Sequence, residues 1–563
     1  MEETIVGERN HAILLMRLLL ALIIAVTPTL GEALPEGYEI SNWAEPFDIE
    51  YPTALTAAAD GTVYVSVDRN GSLGKLPNMG KVVSCQDTNG DGKADKFIDF
   101  VPNVDSPRGG HFVRDTLYLI HPPFLSSFRD TTGDGVADEH KVLLENIGFG
   151  LRHPRGSDHT TNGCRMGIDG WLYIAVGDFG MEATKGTDGK VVTLHGGGVA
   201  RVRPDGTDLE VYSYHTRNIC DVAISPKLDL FTRDNTNDGK GWNIRVHHLT
   251  NGSEHGYPRL YKNFTDEAVE PILDLGGGSG TGALYLAEPG HEEMLLTCDW
   301  TTGKIYYDKL SEKGAGFSLE ESVFMDLKRA IDIDVDGSAN LYVCDWRDGR
   351  FKFAGKGKKV GMVQKLTKKG LKSEPFPDLT KMKTDELVAQ LKSDSAVRRL
   401  EVSREILARG GAAALPLLAK VTFDKGNLIE SRIAAVFTAF QLKQADENQF
   451  LSLFLTEISP WGSSPEMHEF IIRAVGDRGG DLLDKVVPAI PNMIENGGSR
   501  VTLQGVIALG RASKPGQGAT EVILKATLKS GDPRIFNTAI GALVKIGDAE
   551  SLLAHSDKRL ARL

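Results

Sequence analysis

The chain has only five cysteines in 563 residues, and none stands in a Cys-x-x-Cys or Cys-x-x-Cys-His spacing. That excludes a zinc ribbon and a c-type haem attachment site within these residues. Cys85, Cys164, Cys220, Cys298 and Cys344 are scattered and odd in number, which argues against a disulfide framework. They read as buried thiols acting as small apolar side chains. Positive charge is also in deficit: 64 Lys and Arg stand against 76 Asp and Glu, a net charge of −12. Phosphate backbones need a basic surface, so no nucleic-acid partner is expected. The lysines between Lys352 and Lys369 read as a solvated blade edge running into a linker.

Long apolar runs are scarce too. Leu18–Val26 is one, and it is too short for a comfortable membrane span. Met16-Arg17 precedes it and Thr27-Pro28-Thr29-Leu30-Gly31-Glu32-Ala33 follows, the order of a secretory signal. The expectation is a signal peptide over residues 1–33, with Met16 as the true start, and export to the periplasm or cell envelope. An uncleaved anchor is the alternative.

What the sequence does have is glycine, 62 residues of it, in a chain too long for a single core. From about Pro46, short β-branched strands alternate with Asp-Gly and Asn-Gly turns. An apolar triplet recurs six times: Val63-Tyr64-Val65, Leu117-Tyr118-Leu119, Leu172-Tyr173-Ile174, Leu230-Phe231-Thr232, Leu295-Leu296-Thr297 and Leu341-Tyr342-Val343. The spacings, roughly 46 to 65 residues, are those of propeller blades. The last two copies end alike, in Cys298-Asp299-Trp300 and Cys344-Asp345-Trp346. This predicts a six-bladed β-propeller over residues 40–370.

Pro375-Phe376-Pro377 marks a linker over 371–383. Beyond Thr384 apolar residues recur at i, i+3 and i+4, in segments such as Val397–Leu407, Ser431–Leu442, Leu483–Ile494 and Ile535–Ile546. Paired helices every 35–40 residues or so predict a HEAT-like α-solenoid over 384–563, whose default role is contact with a protein partner.

Two loops have calcium-like spacing. Asp87, Asn89, Asp91 and Asp95, and then Asp130, Thr132, Asp134 and Asp138, place oxygen atoms at positions 1, 3, 5 and 9, with glycine at 6. Ca²⁺ takes six to eight oxygens, and this spacing wraps them around one ion. Neither loop has the Glu at position 12, so plain Asp-Gly surface turns are the other reading.

One copy of the repeat is chemically distinct. Asp158-His159 stands just before a strand, and Gly177-Asp178-Phe179-Gly180 follows the next one. A neutral imidazole beside a carboxylate can act as a general base near neutral pH, although such a pair is often only a surface feature. One blade later comes Arg217-Asn218, able to clamp an anion and add a directed hydrogen bond. The polar loop Thr232–Asn243 follows.

His159 with Gly163-Cys164-Arg165 and Gly177-Asp178, then Arg217-Asn218, then the Asp/Asn/Gly loop, resembles the soluble quinoprotein glucose/sorbosone dehydrogenase family. The propeller-plus-helices arrangement is similar to exported bacterial membrane-bound dehydrogenases, whose longer members often end in a cytochrome c domain. The resemblance implies a pyrroloquinoline quinone (PQQ) cofactor over the channel beside Ca²⁺. It implies His159 as the base, with Asp158 beside it, and Arg217, Asn218 and Arg329 as cofactor contacts. It further implies an aldose or alcohol substrate and an external electron acceptor such as a cytochrome c. Two positions depart from the family: Phe179 replaces a glutamine, and Thr301 stands near the place of a lysine. Two other classes stay open, a non-enzymatic scaffold binding a glycan or protein, and a metal-dependent propeller hydrolase, for which no clear Glu stands out.

Overall fold

A computed structural model describes residues 35–553 except 46–48, 237–241, 260, 264–266, 348, 350–359, 373 and 443–463. The expected signal segment lies outside the described residues. Among the described residues no helix is long and apolar enough to cross a membrane.

Six sheets follow one another round a channel, antiparallel except where Ser253–Glu254 pairs parallel with Glu210–Thr216 at the edge of the third. Their innermost strands are Pro52–Ala57, Gly109–Val113, Thr161–Met166, Ala223–Ile224, Gly280–Leu286 and Ala330–Val335. Every apolar triplet of the repeat falls in the second strand of a blade, at Val63–Asp68, Thr116–His121, Leu172–Val176, Leu230–Asp234, Met294–Asp299 and Leu341–Asp345. These strands are almost wholly buried because neighbouring blades cover both their faces, which is why they read as continuous apolar runs. The ring is closed by the N-terminal strand Tyr38–Ala44, which pairs with Met362–Lys368 as the outer strand of the sixth blade. The second sheet is enlarged to six strands. A hairpin, Met181–Gly186 and Val191–Leu194, leaves the third blade and joins the outer edge of the second.

The helices form two layers. Ala396–Arg409, Ile429–Gln441, His468–Arg478, Ser499–Ala512 and Pro533–Ile546 lie against the propeller. Thr384–Gln390, Leu415–Phe423 and Ala519–Ser530 alternate with them along the chain. The helix expected over Leu483–Ile494 is two helices, Gly480–Val486 and Ile490–Asn496, separated by a 3₁₀ turn at Val487–Ala489. Pro488 has no N–H to donate, and its ring clashes with the preceding turn.

The inner layer covers the face opposite the strand starts. Arg201, 1% exposed, pairs with Glu210 at 2.6 Å and with Asp477 of the helices at 2.7 Å. Arg511 reaches the same two carboxylates at 2.9 and 2.6 Å. Arg473 meets Asp169, and Arg500 meets Asp229. Glu401 accepts from the Arg114 amide, and Glu288 of the fifth blade accepts from the Val397 amide at the start of Ala396–Arg409. That helix closes the lower channel.

Asp308 lies in the fifth blade, fully buried, and neither of its carboxylate oxygens is hydrogen-bonded among the described residues. Burial and then the neighbouring Glu321 push its pKa up to about 8. A carboxyl protonated more readily in the fold than in the unfolded chain weakens the fold as pH rises through that range. Asp308→Asn is therefore expected to raise the melting temperature at pH 8 and leave it nearly unchanged at pH 4, which thermal unfolding at the two pH values measures.

Candidate functional site

The upper end of the channel, where the inner strands begin, opens into a cavity of about 300 Å³ lined by all six blades. Glycines let the strands converge there. A Cβ on Gly163 would stand 2.7 Å from Asp221 Oδ1, and one on Gly109 would stand 2.7 Å from the Gly163 Cα.

Two repeated features build the rim. The chain turns through a left-handed residue shortly before the inner strand: Tyr51 (φ 60°), Ser106 (50°), His159 (61°) and Arg329 (60°). The carbonyl of this residue accepts from the amide at the end of the second strand, as in Asp68 to Tyr51, Phe179 to His159 and Trp346 to Arg329. The second strand itself ends in, or just before, an aspartate in five blades: Asp68, Asp178, Asp234, Asp299 and Asp345. Left-handed backbone is costly for a residue with a side chain. Here it belongs to the scaffold, and the third blade has placed a histidine in that position.

His159 is 7% exposed and lines the cavity. Its Nδ1 lies 2.5 Å from Asp178 Oδ1, and its Nε2 lies 3.7 Å from Asp158 Oδ2. The partner that fixes the ring is therefore Asp178, 19 residues on, and not the adjacent Asp158. Asp158 is held instead by Arg155 at 2.5 Å. With Nδ1–H donated to Asp178, Nε2 is left as the proton acceptor. Phe179 packs its ring 5.4 Å from that of His159 and 4.0 Å from that of His153.

Arg217 and Asn218 also line the cavity. The Arg217 amide donates to Asp234, and its Nη1 donates to the Asn235 carbonyl at 2.9 Å. Asn218 Oδ1 accepts from Asn162, which in turn accepts from Arg108 Nη2 at 3.4 Å. Arg329 shares the rim but does not line the cavity. Its guanidinium donates to the Gly349 carbonyl and lies 4.7 Å from the Trp300 ring, so it meets the mouth only through that indole. Thr301 is tied to Ser279 at 2.9 Å and supplies no amine.

The floor is acidic around one cation. Arg165 bonds Asp334 at 3.0 Å and lies 3.5 Å from Asp221. Burial works against its charge, but Asp334 and Asp221 outweigh that and hold its pKa above the usual value. Asp221 is pushed up to about 6, and Asp332 well above the carboxylate range, by burial first.

The two calcium-like loops lie away from this mouth, in outer hairpins of the first and second blades. Asp87 accepts from the amides of Gly90 and Gly92, Asn89 from that of Asp91, and Asp91 from that of Lys93. Asp95 accepts from Thr88. In the second loop Asp130 accepts from Thr132, Gly133 and Gly135, Asp134 from Val136, and Asp138 from Thr131. The side chains expected to wrap an ion thus cap the backbone of their own turns. Among the described residues no group of three or more His, Cys, Asp or Glu is arranged to hold a metal ion. The calcium expectation gains no support.

A family model described as a domain of unknown function, DUF7133, matches residues 33–277. No curated protein matches the chain. Among solved structures, a Thermus thermophilus protein described as a "putative oxidoreductase (glucose dehydrogenase)" is 18% identical, covering 59% of this chain and 100% of its own, with a TM-score of 0.39. The PQQ-bound aldose sugar dehydrogenase of Streptomyces coelicolor is 16% identical, covering 60% and 100%, with a TM-score of 0.43. The PQQ domain of pyranose dehydrogenase from Coprinopsis cinerea, in its holo form, is 12% identical, covering 60% and 97%, with a TM-score of 0.42.

Proposed function

We propose that the chain is an exported oxidoreductase that oxidises an aldose sugar or related alcohol at the propeller mouth, with PQQ as cofactor and an external electron acceptor. The observation that carries this reading is the His159–Asp178 pair, buried in the mouth beside Arg217 and Asn218.

The mouth fits an anionic, flat ligand in two respects. Arg108 Nε, a cationic donor, is buried there without a hydrogen-bond partner among the described residues. Trp300 and Trp346, edge to face with centroids 6.2 Å apart, supply an aromatic wall. Arg108, Arg217 and Asn218 would hold the cofactor. When bound, PQQ supplies the acceptor for the two electrons removed from a C–H bond, chemistry that no side chain provides. The chain's own part is the proton. Asp178 fixes the imidazole tautomer, and His159 Nε2 takes the hydroxyl proton of the substrate. Asp178 also steadies the imidazolium that forms.

The test is a PQQ titration of the purified protein, followed by absorbance. Saturable binding is expected, weakened about 10-fold or more by Arg217→Ala, since a hydrogen bond to a charged group is worth roughly 1.5–3 kcal/mol. A folded protein that binds no PQQ would overturn the cofactor assignment and favour the scaffold reading, for which Thr301 in place of the lysine already speaks. A protein partner of the helices would then meet the outer layer, because the inner layer faces the propeller.

A further inference from the structure

Two loops meet at one edge of the mouth. Residues 69–79 come from the first blade and residues 147–160 precede the third. A Cβ on Gly156 would stand 2.7 Å from the Gly74 carbonyl, and Lys75 and Arg155 both act electrostatically on the His153 ring. Together the loops expose Leu76 (64%) and Phe149 (39%), with the exposed side chains of Lys75, Arg152 and Arg155 around them. Rings connect this patch to the site: Phe149 lies 5.4 Å from His153, His153 4.0 Å from Phe179, and Phe179 5.4 Å from His159.

An apolar patch ringed by cations has the composition of a protein interface. Its charge is also out of keeping with the chain, whose net charge is −12. Asp158 pairs with Arg155, so the positive charge of the patch rests on Lys75 and Arg152, with Asp105 beyond them at the Asn78 amide. Against a general negative field, a local positive patch orients an acidic protein toward itself.

We infer that this patch docks an acidic-faced redox protein, which takes the electrons from the mouth one at a time. The inference rests on the oxidoreductase reading. The balance is simple: oxidation of one hydroxyl to a carbonyl releases two electrons and two protons, and two one-electron acceptors are reduced in turn.

Binding can be measured on the full chain without cofactor, by calorimetry. The probes are the haem domain of cytochrome b5, which is acidic, and mitochondrial cytochrome c, which is basic. The acidic probe is expected to bind at low salt. That binding should weaken about 10-fold at near-physiological salt and again in Lys75→Glu/Arg152→Glu, as steering by exposed charges requires. Neither residue lines the mouth. No binding of the acidic probe, equal or tighter binding of the basic one, or indifference to the double substitution would each overturn the inference. A second arm separates it from the reading beneath it. If an aldose fails to reduce the PQQ-loaded protein, the proposed function fails. If reduction proceeds but the double variant is reoxidised by the acidic probe as fast as the parent, only the docking surface fails.

Discussion

His159→Ala is expected to lower kcat by about 10²–10⁴-fold, the contribution of a positioned general base, while the melting temperature and PQQ affinity stay near those of the parent. Steady-state kinetics beside a PQQ titration and a thermal melt measure all three. Asp178→Asn should act in the same direction. An amide can donate to Nδ1 as well as accept from it, so the tautomer with Nε2 free is no longer imposed. Its signature is a fall in kcat with little change in cofactor binding. If His159→Ala instead unfolds the protein, the histidine is a structural residue of the rim and the base lies elsewhere. The left-handed backbone does not foretell that outcome, because Tyr51, Ser106 and Arg329 adopt it in other blades.

The second large effect is expected far from the mouth. Asp477→Ala should lower stability by about 3–5 kcal/mol, the usual cost of removing one partner from a buried charge cluster. Asp477 stands between Arg201 at 2.7 Å and Arg511 at 2.6 Å, so its loss leaves two guanidiniums sharing Glu210. Urea denaturation of parent and variant reads the difference. The same cluster makes the contact acid-labile. Burial alone would raise these carboxyls, but Arg201 and Arg511 hold Glu210 at about 2, and Arg500 holds Asp229 at about 2. A carboxylate whose folded pKa lies below its unfolded one stabilises the fold at pH above about 4 and loses that contribution as pH falls toward 2. The helices should therefore separate from the propeller in acid, which limited proteolysis across that range would detect.

Much of the architecture was legible because each blade repeats one physical problem. A second strand covered on both faces must be apolar throughout, so six triplets marked six blades. The aspartate closing that strand was visible as well, in Cys298-Asp299-Trp300, Cys344-Asp345-Trp346 and Gly177-Asp178. What Asp178 touches was not. Its closeness to His159 follows from the register of the third blade's first two strands, where Thr161 faces Val176 and so residue 159 faces residue 178, and the spacing of the triplets does not give that register. The network of Arg165, Asp221 and Asp334 was hidden for a similar reason, since its members come from three blades. The calcium-like loops are ambiguous in a different way. Asp and Asn at alternate positions around glycine suit an ion, but they equally suit side chains that cap their own turn, and the pattern does not separate the two. Nothing in the helical periodicity marks Arg473, Arg500 and Arg511 as interface residues, because only the docked propeller makes that face an inside.

The pairing of Tyr38–Ala44 with Met362–Lys368 sets an order of events during synthesis. The first of the described strands to leave the ribosome waits for a partner more than three hundred residues later. Until then the growing chain carries an unpaired strand edge and an open ring. Such edges recruit other chains, and contacts this distant in sequence form slowly. A chain cut short before Met362 would have five complete sheets and a sixth without its outer strands. It is expected to aggregate, whereas the chain carried through Lys368 can close on itself.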